Sequence, residues 1–366
     1  AADKGLSNTT VDLDNSRSDL VINYRFTPTS HLWVKVGTGS ERSRFGGNFD
    51  SAEVANALND IFGGGFSASG RIDRYRTVVE QRDAQLRHTF DASSAWQVSW
   101  GLESARQEKQ IDARLNFAPI MPGLLGRDDR ESNEIYVSNR FRPNNRLLLQ
   151  ADFSRMHFTK RQWSEDTLEF GVVNLNLGRQ VDDRDISEWN PRLGLAWNPA
   201  ENQTLRVAAQ KWRRPASVST LTAVDTAGIA LEDRLVGPGG ELKRVRIQYE
   251  WEAGGRTFVQ AHADSKRVRN MANTNTTLVG DISLEDLDRL RNRSRLTQQA
   301  IDLWESSPEF GAADISSFGF AVNQLFSDRM SGTLRYQNSH SRNVGAGFEG
   351  NLVPWLPRHL LSGGIN

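Results

Sequence analysis

Hydrophobic and polar side chains alternate with a period of two along much of the chain. In AWQVSWGLES (95–104), Trp96, Val98, Trp100 and Leu102 fall on one side, and Gln97, Ser99, Gly101 and Glu103 on the other. Successive side chains of a strand point to opposite faces, so this segment reads as a strand with one apolar and one hydrophilic face. The pattern recurs in pairs of segments joined by short runs: LVINYRF through TPTS into HLWVKV, QLRHTF through DASSA into WQVSWGL, EIYVSNRF through RPNN into RLLLQADF. PRLGLAW passes NPAENQ into TLRVAAQ, RVRIQYEW passes EAGG into RTFVQAHA, and FGFAVNQLF passes SDRM into SGTLRYQ, with a seventh turn at VPWLP before RHLLSGGIN. The joining runs carry Pro, Gly, Asn, Asp and Ser, which suit turn dihedrals.

Between these hairpins, residues 39–73, 105–132, 157–188, 213–241 and 265–313 are polar, Gly-rich or Arg/Asp-rich and read as long connections. Short connections therefore alternate with long ones, as in outer-membrane barrels with short periplasmic turns and long extracellular loops. The expected fold is all-β: one transmembrane antiparallel up-and-down β-barrel over residues 1–366, of roughly 12–16 strands. Two helical loop insertions are expected. DSAEVANALNDIF (about 50–62) starts at Asp50 or Ser51 as a cap and stops at GGG. SLEDLDRLRNRSRLTQQAIDLWES (283–306) has Ser283 and Asp286 in a capping-box arrangement, with Leu284, Leu287, Leu290, Ile301 and Leu303 near helical spacing. A soluble all-β protein with its apolar face turned inward is the alternative.

On the apolar face, Phe26, Phe90, Trp96, Phe141, Trp197, Trp251 and Phe326 sit beside the short turns, with Trp100 further along its strand. These eight are expected to face lipid, the turn-side ones as a girdle at headgroup level. The opposite face carries Arg25, Arg87, Glu103, Arg140, Asp152, Arg192, Arg206, Arg244, Arg246, Glu250 and Arg335. Unpaired, such charges cannot be buried in a dry core, so they are expected to line a wet lumen. Arg87, Arg140, Arg206, Arg244 and Arg246 are its best candidates. Two roles are open to them: an anion- or sugar-preferring surface, or balanced ion pairs that hold the wall together.

Composition narrows the function classes. Lys+Arg and Asp+Glu both number 45, so no basic excess points to nucleic acid. Hydrophobic residues are only 37%, but 10 Trp, 17 Phe and 5 Tyr argue against disorder. With no cysteine, disulfides, thiol catalysis and Cys-zinc sites are excluded. GTGSER (37–42) lacks the third glycine of a dinucleotide loop, and DLDNSRSDL (12–20) has Arg17 and, further on, Asn23 where a calcium loop needs glycine and a bidentate acid. Asp128, Asp129, Asp182, Asp183 and Asp185 read as solvated loop acids. His31, His88, His157, His262, His340 and His359 are scattered without HExxH, and no GxSxG is present. No enzymatic activity, metal or cofactor is expected.

WNPRLGLAWNPAENQTLRVAAQKWRRPASVSTL (189–221) resembles the barrel of TonB-dependent receptors. It also resembles the C-terminal barrel of tetratricopeptide-repeat outer-membrane proteins, some of which export polysaccharide, and WLPRHLLSGGIN (355–366) is similar to a barrel strand of that second group. Neither a plug domain with an energy-coupling box nor helical repeats is recognisable before the first hairpin. The chain also stops at Asn366 inside a strand pattern, so a fragment is expected, with upstream and downstream segments missing. The main expectation is a channel passing hydrophilic cargo, such as an exported polymer, across the bacterial outer membrane. The alternatives are the barrel of a TonB-dependent uptake receptor, and a soluble carbohydrate- or protein-binding protein. Expected partners are outer-membrane lipid, a periplasmic partner or fused upstream domain, and an extracellular ligand at the loops.

Overall fold

A computed structural model describes residues 7–50, 69–116, 120–170, 173–216, 220–222, 224–232, 235–271, 311–345, 349–353 and 356–365. The first eight strands are β1 (Ser7–Thr27), β2 (Ser30–Asp50), β3 (Ser69–Ser93), β4 (Trp96–Asn116), β5 (Ile120–Asn144), β6 (Leu147–Phe170), β7 (Val173–Trp197) and β8 (Gln203–Arg213). They are followed by β9 (Asp225–Thr226), β10 (Ile229–Ala230), β11 (Val236–Ala253), β12 (Thr257–Met271), β13 (Ala312–Ser327), β14 (Met330–Asn343) and β15 (His359–Ile365). All but β9 and β10 form one 13-stranded antiparallel sheet in chain order, each strand beside its sequence neighbour. Among the described residues β1 pairs only with β2 and β15 only with β14.

Six tight turns fall where turn residues interrupt the alternation: after Thr27, Ser93, Asn144, Trp197, Ala253 and Ser327. The opposite ends correct the expected long loops. Residues 105–116, 120–132, 157–170 and 173–188 are strand. Strands β2 to β7 are 21–25 residues long. A membrane crossing needs only about 9–11, so roughly half of each strand projects beyond the bilayer. There polar residues predominate on both faces, which hides the period of two, and ion pairs tie neighbouring strands. Arg74 pairs with Asp112 at 2.9 Å, Arg127 with Glu108 at 3.0 Å, and Lys160 with Asp182 at 2.7 Å. Of the two expected helices, Asp50 is the last residue of β2. The rest of 50–62, and all of 283–306, lie outside the described residues.

Nearer the turns the two faces differ sharply. The apolar face is open: Trp100 is 47% exposed, Leu149 39% and Ile247 49%. The polar face is covered: Asp152, Gln150, Arg192 and Arg244 are all buried. A soluble sandwich has the reverse arrangement, with apolar side chains inside and charges in water. What apolar packing exists lies on the polar side, beyond the level of the belt. Val236, Leu242, Val268, Ala313, Ile315 and Val353 cluster there with Trp212.

Candidate functional site

Strand registers carry the sequence-predicted polar residues into rows on the covered face. One row runs Ser99, Ser138, Asp152, Arg192, Gln210, Arg244 and Lys266 across β4 to β12. The row one step nearer the turns holds Gln97, Arg140, Gln150, Gly194, Ala208, Arg246 and Asp264. Because the alternation is strict, all eleven sequence-predicted polar candidates share this face. The eight aromatic candidates occupy the other and are all exposed there, from 41% for Trp251 to 56% for Phe26.

These rows do not face open space. The connection between β8 and β11, read from sequence as a long external loop, folds back over them. It carries the two-residue hairpin β9–β10 and is fastened by side chains from across the wall. Glu103 accepts from the Leu221 and Thr222 amides at 2.8 Å and from the Thr220 hydroxyl at 2.7 Å. Arg87 donates to the Leu221 carbonyl at 3.1 Å. Gln150 donates to the Asp225 carbonyl at 3.2 Å and accepts from the Ala227 amide at 2.9 Å. Arg206, Gln210 and Arg244 donate to the carbonyls of Ala227, Ile229 and Ala230 at 2.9, 3.1 and 2.9 Å. Arg140 reaches the Asp225 carboxylate at 3.4 Å.

A lone two-stranded hairpin has few backbone partners of its own, and buried backbone groups must be paired. The wall side chains supply those partners. Three further features fit the hairpin to the wall. At Gly194 a Cβ would lie 2.8 Å from both the Ala227 Cβ and the Thr226 Cγ2, so only glycine admits this approach. Ala227 and Gly228 take φ of +52° and +83°, the left-handed pair that closes a two-residue hairpin. Lys266 meets Glu232 at 2.5 Å.

The remaining candidates stand behind these contacts or away from them. Asp152 is flanked by Arg192 at 3.4 Å and Gln150 at 2.9 Å. Arg244 and Arg246 both meet Asp264, at 2.6 and 3.3 Å, and Glu250 holds Arg206 at 3.2 Å. Arg25 and Arg335 are exposed towards the two edges of the sheet. Sequence reasoning missed the covering segment, together with Lys266 and Ser132, whose hydroxyl accepts from the Ala216 amide at 3.0 Å. A signal for it was present: residues 215–231 carry one charge, Asp225. Among the described residues no cluster of His, Asp and Glu is arranged to hold a metal ion.

A family model described as TonB dependent receptor-like, beta-barrel matches residues 2–366. A search of curated proteins by sequence found no match. Among solved structures, the chain is similar in fold to the ferric yersiniabactin uptake receptor FyuA of Yersinia pestis, with a TM-score of 0.65 at 10% identity over 99% of this chain and 48% of that one. It is also similar to the ferric-catecholate import receptor Fiu of E. coli K12 (0.62, 10% identity, 99% and 50%). A third is the siderophore receptor PiuA of Acinetobacter baumannii (0.61, 10% identity, 98% and 53%). The chain thus spans about half the length of these structures.

Proposed function

Since the chain belongs to the TonB-dependent receptor-like β-barrel family of the bacterial outer membrane, we propose that it is wall of an uptake receptor whose cargo is a small hydrophilic chelate. The export of a polymer, expected first from the sequence, finds no support in the family or in the fold neighbours. The observation that carries the uptake reading is the covered inner wall. A conduit for a bulky chain needs this face free, whereas seven wall side chains from β3 to β11 are occupied in holding the β8–β11 connection. A receptor that opens only when loaded and energised has a use for a restricted lumen.

In this reading the exposed aromatic face meets lipid and the charged rows meet the lumen. Arg244 and Arg246 act as wall fasteners through Asp264, and the wall is more a scaffold than an ion filter. An unpaired strand edge is not tolerated in hydrocarbon, so the assembled receptor provides neighbours for β1 and β15. The siderophore receptors of similar fold suggest a ferric chelate as cargo, and the family suggests a periplasmic energy-coupling partner. The test is uptake of radiolabelled ferric chelates by cells with and without the gene. Loss of uptake of at least one chelate, with normal polysaccharide secretion, is expected. Unchanged chelate uptake with lost polysaccharide secretion would reverse the assignment.

A further inference from the structure

The open face of β8 to β14 carries a row of charges with an unusual balance. Registers place Lys243 directly opposite both Lys211 and Arg267, and Arg267 opposite Asp314, which in turn faces Arg342. Like charges directly opposite each other destabilise a sheet. The acids nearby offset them only in part. Glu241 lies 3.2 Å from Lys243 and 3.6 Å from Lys211, Glu188 lies 3.1 Å from Lys211 and 2.9 Å from Arg213, and Asp314 lies 2.8 Å from Arg267 and 3.5 Å from Arg342. Among the described residues, five cations share three carboxylates. Three of the five cations also point outward: the side chains of Lys243, Arg267 and Arg342 are 48%, 55% and 58% exposed, against 27% for Lys211, 9% for Arg213, 6% for Glu241 and 30% for both Asp314 and Glu188.

Height on the wall identifies what this row meets. Lys243 and Arg267 are each ten residues along their strands from the tight turn between Ala253 and Thr257. At about 3.3 Å per residue and a tilt of about 45°, that is about 23 Å above the turn, near the far rim of an apolar band about 25 Å tall. Just below the row, Val245, Ile247, Phe318 and Phe320 are exposed. A net positive row directly above a lipid-facing apolar surface stands at headgroup level. At similar distances from their turns, β2 to β7 present Thr38, Arg82, Arg106, Glu131, Thr159 and Asp185 in one row, with two cations and two acids. The surplus belongs to one side of the sheet.

We propose that the Lys211, Lys243, Arg267 and Arg342 row is a binding site for the phosphate groups of an outer-leaflet glycolipid. His340 and Ser316 line the same shallow groove between β11 and β14 and offer further donors. Arginine and lysine make charge-assisted hydrogen bonds to phosphate, with Arg able to do so through two parallel N–H groups. The phosphates supply the counter-charge that the sheet itself lacks. The site is independent of which solute the barrel carries.

Native mass spectrometry of protein purified from outer membranes tests this, with diphosphoryl lipid A as the probe. The wild type should retain the diphosphoryl lipid in preference to its dephosphorylated form, and inorganic phosphate at equal concentration should not displace it. The combined Lys243→Gln, Arg267→Gln and Arg342→Gln variant should retain about tenfold less, as expected when several charge-assisted bonds are lost. Arg82→Gln with Arg106→Gln should retain as much as wild type. Equal retention of dephosphorylated lipid, displacement by inorganic phosphate, undiminished retention by the triple variant, or an equal loss in the Arg82/Arg106 variant would each overturn the proposal. If the triple variant does not fold, the selectivity of the unmodified protein between the two lipids decides.

Discussion

Two connections on the non-turn side of the sheet go in opposite directions. The β6–β7 hairpin stands out from the barrel, while the segment between β8 and β11 turns in. Residues 157–188 carry eleven charges in 32 positions, whereas 215–231 carry one. In the hairpin, each strand satisfies its neighbour's backbone and the charges form rungs, with Asp182 held by Lys160 at 2.7 Å and Arg184 at 3.0 Å. Trp163 lies under the Arg179 guanidinium at 4.6 Å. The inward segment has almost no such neighbour, so wall side chains meet its amides and carbonyls. Direction is thus set by where the backbone finds hydrogen bonds, and by how little charge must be enclosed.

The comparison can be broken most severely at Gly194. Gly194→Val places a branched side chain where the Ala227 and Thr226 side chains already stand, and the hairpin must leave the wall. A cysteine at Ala227, fully buried here and introduced into a chain with no other, should react slowly with a maleimide in an otherwise unaltered protein and rapidly beside Gly194→Val. Labelling that does not change would show that the segment is not seated on Gly194. Glu103→Ala should act in the same direction but less strongly. It leaves the Leu221 and Thr222 amides without their acceptor, at a cost of about 1–3 kcal/mol, and labelling at position 227 should rise by about 5- to 150-fold.

The smallest effect is expected on the outward hairpin. Asp182→Asn should cost about 0.5 kcal/mol, as exposed pairs do, speed amide exchange in the outer part of β6–β7, and leave labelling at position 227 unchanged. Acid should mimic it. Partial burial pushes the Asp182 carboxyl up, but hydrogen bonds from Lys160 and Arg184 outweigh this and hold it below the ordinary 3.8. The pairing therefore contributes fully above that value and is lost as the pH falls through and below it. Exchange corrected for its intrinsic pH dependence should rise there in the wild type and not in Asp182→Asn.

The turns and the belt were legible because both obey local rules. Pro, Gly, Asn and Asp mark the ends of strands, and the alternation around Trp96 to Leu102 persists wherever one face is apolar. Above the belt that cue vanishes. Gln107, Glu108, Lys109 and Gln110 are strand, yet no period can be read from four polar residues in a row. The charged face was legible as a face, but what rests on it was not. Pairing Glu103 with Thr220, or Gln150 with Ala227, requires contacts more than 70 residues apart that no local pattern encodes. The preference for export over uptake found no support for a related reason: the 189–221 motif describes hairpin physics common to several barrel families, and it is silent on cargo.

The long paired arms of β6 and β7 also constrain how this surface can change over evolutionary time. In an antiparallel ladder, one inserted residue turns every side chain beyond it to the opposite face. A single-residue insertion at Thr159 would turn the outer side chains of β6, Lys160 among them, to the opposite face and away from Asp182 on β7. Length variation should therefore come in matched steps on both arms, or gather where the arms meet, while single-residue exchanges accumulate freely along the rungs. Sites for grafted epitopes or affinity tags follow the same logic.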